Sequence, residues 1–124
     1  MPTFTLTIQD LPAAPGGLQV KLLTLEGQLD ESNIEDNTPR VYELIDDGSG
    51  KKVLIFDLEK LTYLNSKAVG FMMDWNSRIS KEGGYIVVIN VPPNIKDIIT
   101  AVGLTDFVKE YGTLSEAKNA IYQS

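Results

Sequence analysis

The chain has 124 residues, 43% hydrophobic and 23% charged, with 11 Lys plus Arg against 17 Asp plus Glu and a formal net charge of −6. That length fits one domain, residues 1–124, able to bury a core without metal or disulfide staples, and the acidic balance argues against sequence-independent binding to a nucleic-acid backbone. There is no Cys and no His, so a thiolate zinc site, a cysteine nucleophile and a Ser–His–Asp triad are excluded within the chain.

Phe4-Thr5-Leu6-Thr7-Ile8 alternates apolar and polar residues, the period of a half-buried strand. Pro12-Ala13-Ala14-Pro15-Gly16-Gly17 reads as a hairpin loop, and Leu18–Leu25 as the antiparallel partner. Gly27-Gln28-Leu29-Asp30 ends that strand. Pro39 directly follows Thr38, which predicts a helix starting there, with Thr38 as cap and Val41, Leu44 and Ile45 on one face. Asp46-Asp47-Gly48-Ser49-Gly50 connects it to Val53–Leu58, a near-continuous apolar run expected as a central strand covered on both faces.

Leu61–Asn65 reads as a loop and Ser66–Glu82 as the longest helix, with Val69, Met72, Met73, Asn76 and Ile79 at helical spacing and Gly83-Gly84 stopping it. Tyr85–Ile89 is a second buried strand. Pro92-Pro93 opens a short helix carrying Ile95, Ile98, Ile99 and Val102, closed by Gly103. Phe107–Tyr111 is a last short strand. Thr113 with Glu116 forms a capping box before a final helix that buries Ala117, Ala120 and Ile121. The alternation implies an α/β domain: a mixed, mostly parallel sheet of four to five strands packed with about four helices.

No apolar run approaches the ~18–20 residues that span a bilayer. Met1–Thr5 lacks the basic and apolar regions of a signal peptide. A cytoplasmic protein with neither nucleic acid nor membrane as partner is the expectation.

Ser66 is the leading functional candidate. At the head of the long helix it is first a good N-cap. A phosphate there would also sit at the positive end of the helix and add about −1.5 to −2 charges to a surface loop. Lys67 is placed to compensate part of that charge, and Asp30 to oppose it if the two strand ends are neighbours. Tyr63 and Leu64 either contact a partner or anchor the loop. Phe71 and Trp75, four residues apart, share a helix face offset from the apolar stripe, which suggests partial exposure; the pair either borders a partner-binding surface or, the more ordinary outcome, packs against a neighbouring helix. An enzyme is disfavoured. Ser66 and Lys67 project about 100° apart on a helix, and no oxyanion-hole motif is evident. Asp46-Asp47 and Asp57 with Glu59 do not match a calcium loop, and no cofactor is implied.

At these residues the sequence resembles the anti-sigma factor antagonists of the STAS superfamily. Gly27-Gln28-Leu29-Asp30 is similar to that family's Gly-Glu-Leu-Asp turn. Leu54-Ile55-Phe56-Asp57-Leu58, followed by Leu61-Thr62-Tyr63-Leu64-Asn65-Ser66-Lys67-Ala68-Val69-Gly70, is similar to its strand and Asp-Ser-Ser-Gly-Leu-Gly phosphorylation loop. Asn65 stands for the usual Asp, and Lys67 and Ala68 for the usual small residue and Gly. The resemblance implies partner switching: phosphorylation of Ser66 by a serine-kinase anti-sigma factor, binding of that kinase by the unphosphorylated form, and resetting by a serine phosphatase. It places Asp30 on the kinase-facing surface. The alternative is a STAS scaffold or accessory subunit, of a signalling or transporter complex, without a phosphate cycle.

Overall fold

Residues 3–123 are described by the structure, a computed structural model. Met1 and Pro2, part of the segment judged unlike a signal peptide, lie outside the described residues. Six strands, β1 (Phe4–Ala14), β2 (Leu18–Leu29), β3 (Lys52–Asp57), β4 (Leu61–Leu64), β5 (Tyr85–Ile89) and β6 (Lys109–Tyr111), form one sheet. The helices are α1 (Ile34–Ile45), α2 (Ser66–Lys81), α3 (Pro93–Val102) and α4 (Leu114–Tyr122). The sheet runs in the order β1-β2-β3-β5-β6, with β4 paired separately to β2. Among the described residues only β1 against β2 is antiparallel; the other pairings are parallel.

Val53–Phe56 of β3 are buried, as their apolar run predicts, and so is Lys52 before them. Alternate residues serve two cores. Leu54 and Phe56 join Leu23, Leu25, Ile86 and Val88 beneath α1, α2 and α3. Val53 and Ile55 join Val20, Leu22, Val87 and Ile89 beneath Ala117 and Ile121 of α4. Gly84 sits where its ideal Cβ would lie 1.9 Å from the Lys52 carbonyl oxygen, so only glycine lets α2 return this closely onto β3.

The structure corrects several expectations. β1 continues to Ala14 through a register shift after Leu11, leaving Pro15–Gly17 as the turn. Leu61–Leu64 is a strand, giving six rather than four to five; it is too short to show a period, and its pairing with Gly27, Gln28 and Leu29 holds it. Helix α1 starts at Ile34, five residues before Pro39. The cause is a tight turn: Asp30 Oδ1 accepts from the Ser32 amide at 2.9 Å, and Asn33 Oδ1 accepts from the Asp30 amide at 3.1 Å. Pro39 therefore lies inside the helix, where it removes one backbone bond, and Thr38 is a buried interior residue rather than a cap. Phe107 precedes the last strand, outside it, and is 60% exposed.

Candidate functional site at the head of α2

Leu29 of β2 is paired with Leu64 of β4, and the Asn65 amide donates to the Leu29 carbonyl at 3.3 Å. The next residues, Asp30 on one chain segment and Asn65-Ser66 on the other, thus leave the sheet from the same edge. The condition attached to Asp30, that the two strand ends be neighbours, is met.

Asn65, and not Ser66, caps α2. Its Oδ1 accepts from the Ala68 amide at 3.0 Å while its backbone stays extended. Ser66 is the first helical residue and is exposed. Among the described residues its hydroxyl has no hydrogen-bond partner, so the oxygen is presented to solvent at the positive end of a 16-residue helix.

Asp30 Oδ1 accepts from both the hydroxyl and the amide of Ser32, at 2.5 and 2.9 Å, and these bonds hold its carboxyl below the usual carboxylate range. It remains an anion facing solvent. Lys67 reaches Glu35 of α1, with Nζ 3.0 Å from Oε1 and both side chains well exposed. Tyr63 is 45% exposed on β4. The Asn94 side-chain Nδ2 donates to the Thr62 carbonyl at 3.1 Å, which ties β4 to α3.

Phe71 is half-buried, as expected. Trp75 is not at the surface: it is 2% exposed, its ring stacks on Phe56 at 5.7 Å between centroids, and its Nε1 donates to Thr38 Oγ1. It therefore leaves the group of partner-binding candidates. Sequence reasoning missed the groove between α1 and α2 that starts beside Ser66, lined by Lys67, Gly70, Phe71 and Asp74 of α2 and Tyr42 of α1. Tyr42 donates to Asp74 Oδ2, which also accepts from Arg78 Nε at 3.0 Å, and the guanidinium lies over the Tyr42 ring. Burial and then the bond to Asp74 push the Tyr42 hydroxyl up to about 12. The Asp74–Arg78 spacing of four was a readable helix pair; Tyr42 gave no signal.

Three of the carboxylates weighed as metal ligands, Asp46, Asp47 and Asp57, are engaged structurally. Asp47 pairs with Lys52, Asp46 with Arg78, and Asp57 accepts from the Glu59 amide and the Asn90 side chain. Among the described residues no helix is long and apolar enough to cross a membrane.

Comparison with known proteins agrees with this architecture. The family model for the STAS domain matches residues 12–117. The chain belongs to the STAS domain family. Among solved structures it is similar to an anti-sigma factor antagonist from Mycobacterium paratuberculosis, at 20% identity and TM-score 0.80 over 96% of this chain and 94% of that one. The unphosphorylated anti-sigma factor antagonist SpoIIAA gives 18% identity and TM-score 0.79 over 97% and 98%. The Bacillus cell fate determinant SpoIIAA in its phosphorylated form gives 18% and 0.71 over 94% and 99%. At such identities the likeness of this STAS domain to those structures speaks for the fold alone.

Proposed function

We propose that this STAS domain is an anti-sigma factor antagonist-like regulator that binds a serine-kinase anti-sigma factor in the cytoplasm and is switched by phosphorylation of Ser66. The observation that carries the reading is the unspent Ser66 hydroxyl. Because Asn65 takes the cap, modification of Ser66 costs α2 no bond. A phosphate there meets first-turn amides, which favour an anion, so the fold tolerates the change. A docking partner meets a new charge beside the Asp30 carboxylate. An imperfectly compensated charge at an interface costs about 2–5 kcal/mol, enough to dissolve a complex. Asp30, Tyr63, Asn65, Lys67 and Phe71 form the contact surface together with Ser66 in this reading; a serine phosphatase returns the protein to its binding form. The solved structures named as anti-sigma factor antagonists, one of them in a phosphorylated form, support this reading.

The test is affinity capture from native lysate followed by phosphopeptide mapping, then binding of the captured kinase to two variants. Ser66→Ala retains affinity and Ser66→Asp loses about thirtyfold or more, the lower end of that charge penalty. Equal affinity for both variants overturns the switch. Absence of phosphate on Ser66 under all growth states moves the reading to the non-phosphorylated scaffold.

A further inference from the structure

The free edge of β1 is the outermost strand edge on one side of the sheet. Its hydrogen-bonding groups can be assigned from the register. The Gln28 amide donates to the Thr3 carbonyl at 3.0 Å, which makes that pair, and by alternation Thr5–Glu26, Thr7–Thr24 and Gln9–Leu22, the bonded pairs of the hairpin. The amides and carbonyls of Phe4, Leu6 and Ile8 consequently point away from β2. Such an edge is a template for another strand unless it is blunted by charge, proline or a cover. From Phe4 to Gln9 this strand has neither charge nor proline. One cover exists: Arg40 of α1 reaches over the edge, and its guanidinium donates to the outward Leu6 carbonyl at 2.7 Å.

We propose that the free edge of β1 is a self-association surface for a second copy of this chain, held closed by Arg40. Antiparallel pairing about a two-fold axis at Leu6 sets Phe4 opposite Ile8 of the second copy on the face toward α1, and Thr5 opposite Thr7 on the other. Apolar meets apolar, hydroxyl meets hydroxyl, and no like charges are opposed, in a chain whose net charge of −6 repels its own copies elsewhere. The central bond of that ladder needs the Leu6 carbonyl that Arg40 occupies. Releasing Arg40 opens the edge.

Sedimentation equilibrium of the full chain across a wide concentration range tests this. Arg40→Ala dimerises at a concentration lower than wild type by about tenfold or more, the worth of one charge-assisted hydrogen bond. Two further changes dissolve that dimer. Ile8→Pro removes one outward amide and leaves the β1–β2 ladder intact. Thr5→Lys with Thr7→Lys, at exposed positions, sets cations against cations across the axis. An Arg40→Ala protein that stays as monomeric as wild type throughout overturns the proposal, as does any dimer that survives the paired lysines.

Discussion

The indole N–H of Trp75 donates to the Thr38 hydroxyl across 3.0 Å inside the seam where α2 meets α1, and both residues are buried. This bond joins the two helices that flank Ser66, and it satisfies the one polar atom of a ring otherwise stacked on Phe56. Thr38→Val keeps the shape and orphans the N–H, so it should destabilise the fold by about 1–3 kcal/mol. Trp75→Ala should cost about 3–5 kcal/mol as a cavity, and should weaken partner binding only through unfolding. Urea denaturation of each variant measures the loss; a Thr38→Val protein as stable as wild type would show that the bond contributes nothing.

The division of labour between Asn65 and Ser66 has a direct thermodynamic signature. Asn65→Ala removes the side chain that accepts from the Ala68 amide and should cost about 1 kcal/mol. Ser66→Ala removes an unbonded surface hydroxyl and should change stability by less than about 0.5 kcal/mol. Thermal or urea unfolding of the pair distinguishes them, and the reverse ranking would return the cap to Ser66.

Acid sensitivity should centre on the far end of the sheet. The Lys52 side chain is 1% exposed, and its ammonium meets Asp47 Oδ1 at 2.7 Å and the Gly50 carbonyl at 3.0 Å. The Lys52 ammonium, then the hydroxyl and amide of Ser49, hold the Asp47 carboxyl well below its ordinary 3.8. A depressed folded-state value means the unfolded chain takes up the proton first as pH falls. The stabilisation is therefore complete above about pH 4 and is lost progressively below it. Asp30 and Asp74, also held low, add to the same slope. Asp47→Asn should flatten part of that slope. At neutral pH it should cost roughly 1–3 kcal/mol, less than a fully buried pair because Asp47 is 38% exposed. Denaturant unfolding across acid pH checks both, and an unchanged slope in Asp47→Asn would remove this ion pair from the account.

Much of this architecture was legible because local and global signals agree. The run Val53–Phe56 is apolar on both faces, and the structure covers both. Thr113 accepts from the Glu116 amide at 3.1 Å as the capping box predicts, although the Glu116 carboxylate returns to the Gly112 amide rather than to that of Thr113. Gly103 ends α3 with a left-handed φ of 91°. The illegible parts depend on contacts distant in sequence. Nothing local says that Leu61–Leu64 finds β2. The start of α1 was hidden because Pro39 looks like a first-turn residue, whereas the Asp30–Asn33 turn had already set the helix. Trp75 was misplaced because α2 meets the sheet and α1 together. Its buried residues Ala68, Val69, Met72, Trp75, Asn76 and Ile79 span an arc of about 120°. Trp75 lies at one end of that arc, and Phe71 falls just outside it. At the candidate site, the sequence pointed to Ser66 and Asp30 but gave Ser66 the helix cap that Asn65 supplies.

The short ladder between β2 and β4 also acts as a ruler. Each residue added to or removed from the Glu59-Lys60 corner would ask β4 to slide along β2 by about 3.3 Å. The serine would then be displaced lengthwise from the aspartate across from it, and Leu61 and Leu64, both buried in the core beneath the helices, would be drawn out of register. The phase between these two side chains is thus encoded in the length of one corner rather than in the identity of either residue.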